Sequence, residues 1–244
     1  MAGCAHDSAG KAGARRPLDE AGQLVLVTTV GWDADRGELR RYERDGSTWS
    51  QVGEAAPVTI GRAGAAWGMG LHDAQPGGPL KREGDGRAPA GAFAIGTAFG
   101  YAASAQTALP YAPMQAPHYC IDVPDSPLYN RIVDAGEVGD VAVAGSTEPM
   151  RRDIHADGDQ RYRLGFVIEH NPQAQPGAGS CIFAHLWKSP TDATAGCTAM
   201  EPAVMESLLA WLQPRQQPVF VLLPQDQYAR LRSSWNLPNL DARP

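Results

Sequence analysis

Residues 179–200 read GSCIFAHLWKSPTDATAGCTAM, and they hold the side chains best suited to chemistry. The apolar run Cys181-Ile182-Phe183-Ala184 ends in His185, and Cys197 follows twelve residues later, directly after Gly196. A thiol attacks as its thiolate, so a nucleophilic cysteine needs a neighbour that takes its proton or lowers its pKa. Two such neighbours are offered. His185, closing a predicted strand, would act first as base and then as acid. A helix opening near Pro202 would present its positive end to the thiol if the loop folds back. Gly196 would allow an unusual turn that leaves backbone amides facing an oxyanion. The competing reading is an inert buried cysteine beside a satisfied polar histidine.

Chain order narrows the chemistry. His185 is the last histidine, so Cys197 has none downstream, and a papain-like order of cysteine before histidine is excluded for it. Cys120 does precede His155, His170 and His185, but it lies in proline-rich sequence with no helix start beside it. Sortases run histidine before cysteine, with a T-L-x-T-C strand and an arginine soon after. Here the residues are Thr194-Ala195-Gly196-Cys197, and the next arginine is Arg215.

The elements that must position these groups are mainly strands. Residues 23–30 (QLVLVTTV) give the first strand signal. Residues 38–44 and 47–52 read as edge strands joined by the hairpin signal Asp45-Gly46, with 57–60 continuing an antiparallel meander. Residues 61–101 are glycine-rich, with Phe93 and Ile95 alternating like a buried strand. They contain neither G-x-G-x-x-G nor G-x-x-x-x-G-K-[ST], which argues against a nucleotide site. Residues 102–160 are irregular and proline-rich, as functional loops often are. Strand character resumes at 163–169 and 181–185. Pro202 suits the first position of a helix whose Val204, Met205, Leu208, Leu209 and Leu212 share one face. A strand at 218–223 and a helix at 226–235 follow. The expected fold is mostly β with a few helices, an α+β class. Residues 1–20 form a flexible segment or tether and 21–244 a single domain.

At 244 residues and 43% hydrophobic, the chain can build a sizeable core. A net charge of −6 and no basic run argue against nucleic acid. No apolar stretch reaches the roughly 18 residues of a membrane span. Met1-Ala2-Gly3-Cys4 resembles the end of a bacterial lipoprotein signal, which would make Cys4 a lipidation site; an incidental cysteine in a flexible start is the other reading. The four cysteines form no C-x-x-C pair of the kind zinc sites use, so no metal is expected. With Cys4 and Cys197 set aside, Cys120 and Cys181 remain as candidates for a bridge in an oxidising compartment.

Taken together, these blocks resemble the L,D-transpeptidase catalytic domain, or YkuD-like, family. The match is to a periplasmic branch carrying G-S-x-I-F-x-H and T-x-G-C-[TV]-A-[ML], here Gly179-Ser180, Ile182-Phe183, His185 and residues 194–200. It includes residues 81–93 (KREGDGRAPAGAF), 126–133 (SPLYNRIV) and the strand ending at Asn171, so that it spans roughly residues 55–225. The resemblance implies a YkuD-like β-sandwich with the cysteine and histidine facing each other in a cleft, in the periplasm or cell envelope. It implies attack on a peptidoglycan stem between its third residue and a terminal D-alanine. Cys197 would carry the acyl group, His185 would move the proton, and amides around Gly196-Cys197 would hold the oxyanion, with no cofactor. Better-studied members have Ser-His-Gly-Cys followed closely by arginine or asparagine. Ala195 and Thr198-Ala199-Met200 provide neither, so carboxylate recognition must come from elsewhere. Lys81, Arg82, Arg87 and Arg131 are the candidate donors, with Tyr129, Asn130 and Asn171 as further cleft residues. The alternatives are a hydrolase on the same fold (an L,D-carboxypeptidase or amidase) and a non-catalytic wall-binding module.

Overall fold

The computed structural model of the chain describes residues 16–240. Its strands are β1 (Gln23–Thr29), β2 (Arg36–Asp45), β3 (Thr48–Gln51), β4 (Ala56–Thr59), β5 (Ala65–Trp67), β6 (Ala88–Gly100) and β7 (Tyr111–Pro113). Next come β8 (His118–Cys120), β9 (Ile132–Asp134), β10 (Glu148–Pro149), β11 (Leu164–Ile168), β12 (Phe183–Leu186), β13 (Thr198–Met200) and β14 (Val219–Pro224). The helices are α1 (Ala135–Val138), α2 (Asp140–Val143), α3 (Arg152–His155), α4 (Pro202–Trp211) and α5 (Gln225–Trp235).

The main sheet runs β1-β14-β6-β11-β12-β13-β4-β2-β3, and a further β1–β2 pairing closes it on itself. Most of its ladders are antiparallel, but β1–β14, β12–β13, β5–β6 and β6–β7 are parallel. A second sheet, β10-β8-β9, stands in the region that reads as irregular in sequence. The fold is mostly β, as expected.

The apolar side chains divide into two clusters. The larger joins β1, β14 and β6 to Met205, Leu208, Leu209 and Leu212 on α4 and to Tyr228, Leu231 and Trp235 on α5. The smaller contains Phe99, Met114, Met150, Tyr162, Phe183 and Cys197, together with Cys120 and Cys181.

Three boundaries differ from the sequence reading for physical reasons. β6 is thirteen residues long, although APAGAFAIGTAFG has weak intrinsic strand preference. Small side chains suit it because β5, β7, β11 and β14 all pair with it. β12 starts at Phe183 because Gly179 (φ +101) and Cys181 (φ +54) are left-handed, which a strand does not accommodate. The predicted tether is docked before residue 20: Leu18 is fully buried, and Arg44 donates hydrogen bonds to the carbonyls of Leu18 and Asp19. Cys4 lies outside the described residues.

Candidate active site

The turn ahead of β13 is held by Thr194. Its hydroxyl donates to the Cys197 carbonyl at 2.6 Å and accepts the Gly196 N–H at 3.1 Å. Its own backbone bridges to Ile60 and Arg62. This gives the threonine of T-x-G-C a structural reason and corrects the expectation for Gly196, whose N–H is already bonded within the turn. The helix-dipole expectation is also corrected. β13 separates Cys197 from α4, and three strand residues rise about 10 Å, beyond the reach of a helix-end effect.

Cys197 is 8% exposed. Its Sγ accepts the Phe183 N–H at 3.3 Å and donates to the Cys181 carbonyl at 3.5 Å. Burial pushes the thiol up to about 12, with the Glu148 carboxylate adding to the rise. The Phe183 amide opposes it. Burial therefore favours the protonated, neutral thiol.

His185 lies two residues beyond Phe183 on the same face of β12. Nδ1 is 2.8 Å from the Leu186 carbonyl; a carbonyl only accepts, so Nδ1 carries the proton and Nε2 is the basic atom. Nε2 has no hydrogen-bond partner among the described residues. Burial lowers the imidazole to about 4, against the Leu186 carbonyl, and Arg161 and Arg152 lower it further. No direct hydrogen bond joins His185 to Cys197. Tyr162 packs on the imidazole, its ring centroid 5.1 Å from that of His185, and stands 5.5 Å from the ring of Phe183, whose N–H the thiol accepts.

Tyr162 is buried and donates to Glu148 at 2.6 Å. Arg152 bridges Glu148 at 3.1 Å and Asp159 at 2.8 Å, and Arg161 closes onto Asp159 at 2.6 Å. Sequence reasoning passes over this whole network. Its only trace is a tyrosine between two arginines ahead of an apolar strand, a pattern too common to select.

The blocks that carried the resemblance are bonded into one unit. Lys81 Nζ is buried against Asp85 at 2.6 Å and the Arg82 carbonyl, and Asp85 also accepts the backbone N–H groups of Arg82 and Arg87. Arg87 donates to Asp33 and to the Trp32 and Ala65 carbonyls. Glu83 accepts from Ser180 at 2.6 Å and from Tyr129, whose hydroxyl also accepts the Gly179 N–H. Asn130 donates to the His170 and Asn171 carbonyls and accepts the Cys181 N–H at 2.8 Å. Asn171 is fully buried and spends its amide on Gln175 and Gly179. A side chain at Gly179 would meet His170 Nε2 at 2.9 Å. Lys81, Arg87, Tyr129, Asn130 and Asn171 therefore hold the segment that carries the thiol; their polar groups are not available to a ligand. Arg82 and Arg131 are exposed. Cys120 and Cys181 are bonded to each other, with Cα atoms 5.9 Å apart.

Residues 32–221 match the family model of the YkuD L,D-transpeptidase catalytic domain. The chain belongs to that family. None of the curated proteins compared with it matches. Among solved structures, "Structure of Bdellovibrio bacteriovorus Bd1075" is similar at 13% identity and a TM-score of 0.39. The alignment covers 88% of this chain and 54% of that one, so the chain spans about half of its length.

Two cavities of this L,D-transpeptidase-family domain lie beside β12, one lined by Phe183 and the other by His185. One, of about 630 Å³, is walled by Cys120, Cys181 and Phe183 and reaches Arg131, Asp134 and Glu137. The other, of about 210 Å³, is lined by His185, Arg161, Trp187 and Lys188, and by Thr194 and Ala199 on either side of the cysteine turn. Among the described residues, no cluster of three or more metal-ligating side chains exists, and no helix is long and apolar enough to cross a membrane.

Proposed function

We propose that the chain is a cysteine L,D-transpeptidase acting on peptidoglycan stem peptides through an acyl-enzyme on Cys197. The observation that carries this reading is the register of β12 and β13. It sets Cys197 Sγ on the Phe183 amide while His185, with Nε2 unpartnered, follows on the same strand face.

In the reaction, the Cys197 S–H proton passes to His185 Nε2 and Sγ attacks the carbonyl between the third stem residue and the terminal D-amino acid. The tetrahedral oxyanion collapses, the C–N bond breaks, and the imidazolium returns its proton to the departing amine. An amine of a second stem then displaces the thioester to form a cross-link, or water hydrolyses it. Tyr162 packs on the His185 ring and shares one apolar cluster with Cys197. The Cys120–Cys181 bridge supports an oxidising location such as the periplasm or cell envelope.

Tetrapeptide muropeptides incubated with the protein test the reading. New dimers, lost in Cys197→Ala, are the expected result; trimmed tripeptides without dimers would replace the transferase by an L,D-carboxypeptidase. The deep burial of Cys197 favours one rival, a non-catalytic wall-binding module. Intact mass after exposure to a carbapenem separates the two, because an adduct absent from Cys197→Ala excludes the rival and no adduct with no turnover supports it.

A further inference from the structure

On the His185 side, the 210 Å³ cavity continues into a second space of about 600 Å³, since Arg161, Trp187 and Lys188 line both. The cations along this groove are Arg152, Arg161, Arg163 and Lys188. Its carboxylates are Asp157, Asp159 and Asp192. Arg152 and Arg161 share Asp159, and Arg152 also pairs with Glu148, so these two guanidiniums are matched by two carboxylates. Asp192 accepts from the Ser189 hydroxyl at 3.0 Å. Lys188 and Arg163 are exposed and make no ion pair among the described residues. These two cations without ion pairs, Lys188 beside His185 and Arg163 further along the groove, lie on a chain whose net charge is −6.

The reaction of the proposed function, on which this inference rests, dictates what must lie here. His185 returns a proton to the leaving amine, so that nitrogen must reach hydrogen-bond distance of Nε2. In a terminal amino acid, the amine and the carboxylate are separated by a single Cα, through bonds of about 1.5 Å each. The carboxylate of the leaving residue is therefore confined to within a few ångströms of the imidazole. The cations lining the same cavity as His185 are Arg161 and Lys188. The opposite cavity offers Arg131 against Asp134, Glu137 and Glu169, the wrong sign for an anion.

We infer that Lys188 and Arg161 form a subsite that binds the free C-terminal carboxylate of the leaving D-amino acid. Arg161 is held in place by Asp159 and gives a fixed guanidinium face, while the exposed Lys188 adds a point charge from the loop after β12. The subsite makes the site an exo-acting one, selective for a terminal residue over the same bond within a longer peptide.

The test compares three tetrapeptides: the native one, its C-terminal carboxamide, and one amidated instead on the side-chain carboxylate of the third residue. For the wild type, the terminal carboxamide should lower kcat/KM about ten- to a hundredfold, and third-residue amidation should change it little. Lys188→Gln should raise KM for the native peptide about tenfold, leave the carboxamide peptide unaffected, and be rescued by Lys188→Arg. A loss on third-residue amidation alone would overturn the assignment, and so would an equal loss on all three peptides in Lys188→Gln. Binding of the same peptides to Cys197→Ala, followed by calorimetry, reads the subsite without turnover. A carboxylate preference that Lys188→Gln abolishes there supports the subsite even if the acyl-enzyme reading fails. Equal binding of acid and amide removes it.

Discussion

The two cavities beside β12 each contain one deeply buried histidine, and the two histidines are bonded in opposite ways. His170, on the acidic side, accepts the Met69 N–H at Nδ1 and donates from Nε2 to the Ala178 carbonyl, so both nitrogens are spent. His185, on the basic side, donates to Leu186 and keeps Nε2 unpartnered among the described residues. Burial lowers both to about 4. A depressed pKa thus marks burial alone, and the unspent nitrogen distinguishes a candidate base from a structural clamp.

Exchanging the two sites' roles is the strongest way to break this comparison. His185→Gln should reduce turnover about 10²- to 10⁴-fold with little change in stability. His170→Gln should do the reverse, costing about 1–3 kcal/mol of stability while sparing the chemistry, because it strands buried partners. Steady-state kinetics and urea denaturation on both variants decide it, and similar behaviour of the two would remove the distinction.

The wall of the acidic cavity offers the next effect. Cys120 and Cys181 are 61 residues apart, a loop whose closure is worth about 4 kcal/mol. Cys120→Ser with Cys181→Ser should lower the urea midpoint accordingly. The pair should also disturb the thiol, because the Cys181 carbonyl and Phe183 amide hold Sγ.

Acid should then act on both sites together. Each histidine binds a proton in the unfolded chain near pH 6.5 but not in the fold until about pH 4. Their contribution is therefore fully present above pH 6.5 and is lost as pH falls through 4, by about 1.4 kcal/mol per pH unit for each histidine. Cys197 has the opposite sign: raised from 9.0 to about 12, it contributes below pH 9 and is lost as pH rises through 12. Urea midpoints across pH 4–7 should fall toward acid, less steeply in His170→Gln. A flat profile would show that the buried imidazoles do not set it.

The smallest effect belongs to the rim of the acidic cavity. Glu137 is exposed, so Glu137→Gln should change stability by no more than about 0.5 kcal/mol and leave the terminal-carboxylate preference intact. A lost preference would place the anion on this side.

The site was legible in sequence where chemistry depends on neighbours along the chain. Thr194 to Cys197 forms a self-bonded turn, His185 ends an apolar run, and Gly179 stands where only a glycine fits beside His170. Local dihedral and hydrogen-bond demands leave such marks because they act over a few residues. Lys81, Arg87, Asn130 and Asn171 were equally visible as polar residues in motifs, yet their task was not: Lys81 and Asn171 tie their own loops, Arg87 and Asn130 reach distant ones, and a bonded polar group looks the same in sequence as an available one. Tyr162, Glu148 and Lys188 carried no signal, since they reach the thiol and imidazole only when β10, the turn before β11 and the 188–192 loop converge.

Cys197 shows where the division falls. By itself, the sequence determined that a thiol on a glycine turn follows a histidine-terminated strand in an L,D-transpeptidase-family chain. Only the tertiary structure decided that the thiol is buried, in one apolar cluster with Tyr162, Phe183 and the Cys120–Cys181 bridge, where burial favours its neutral form. Burial and field are sums over groups from many elements, and no local stretch contains them.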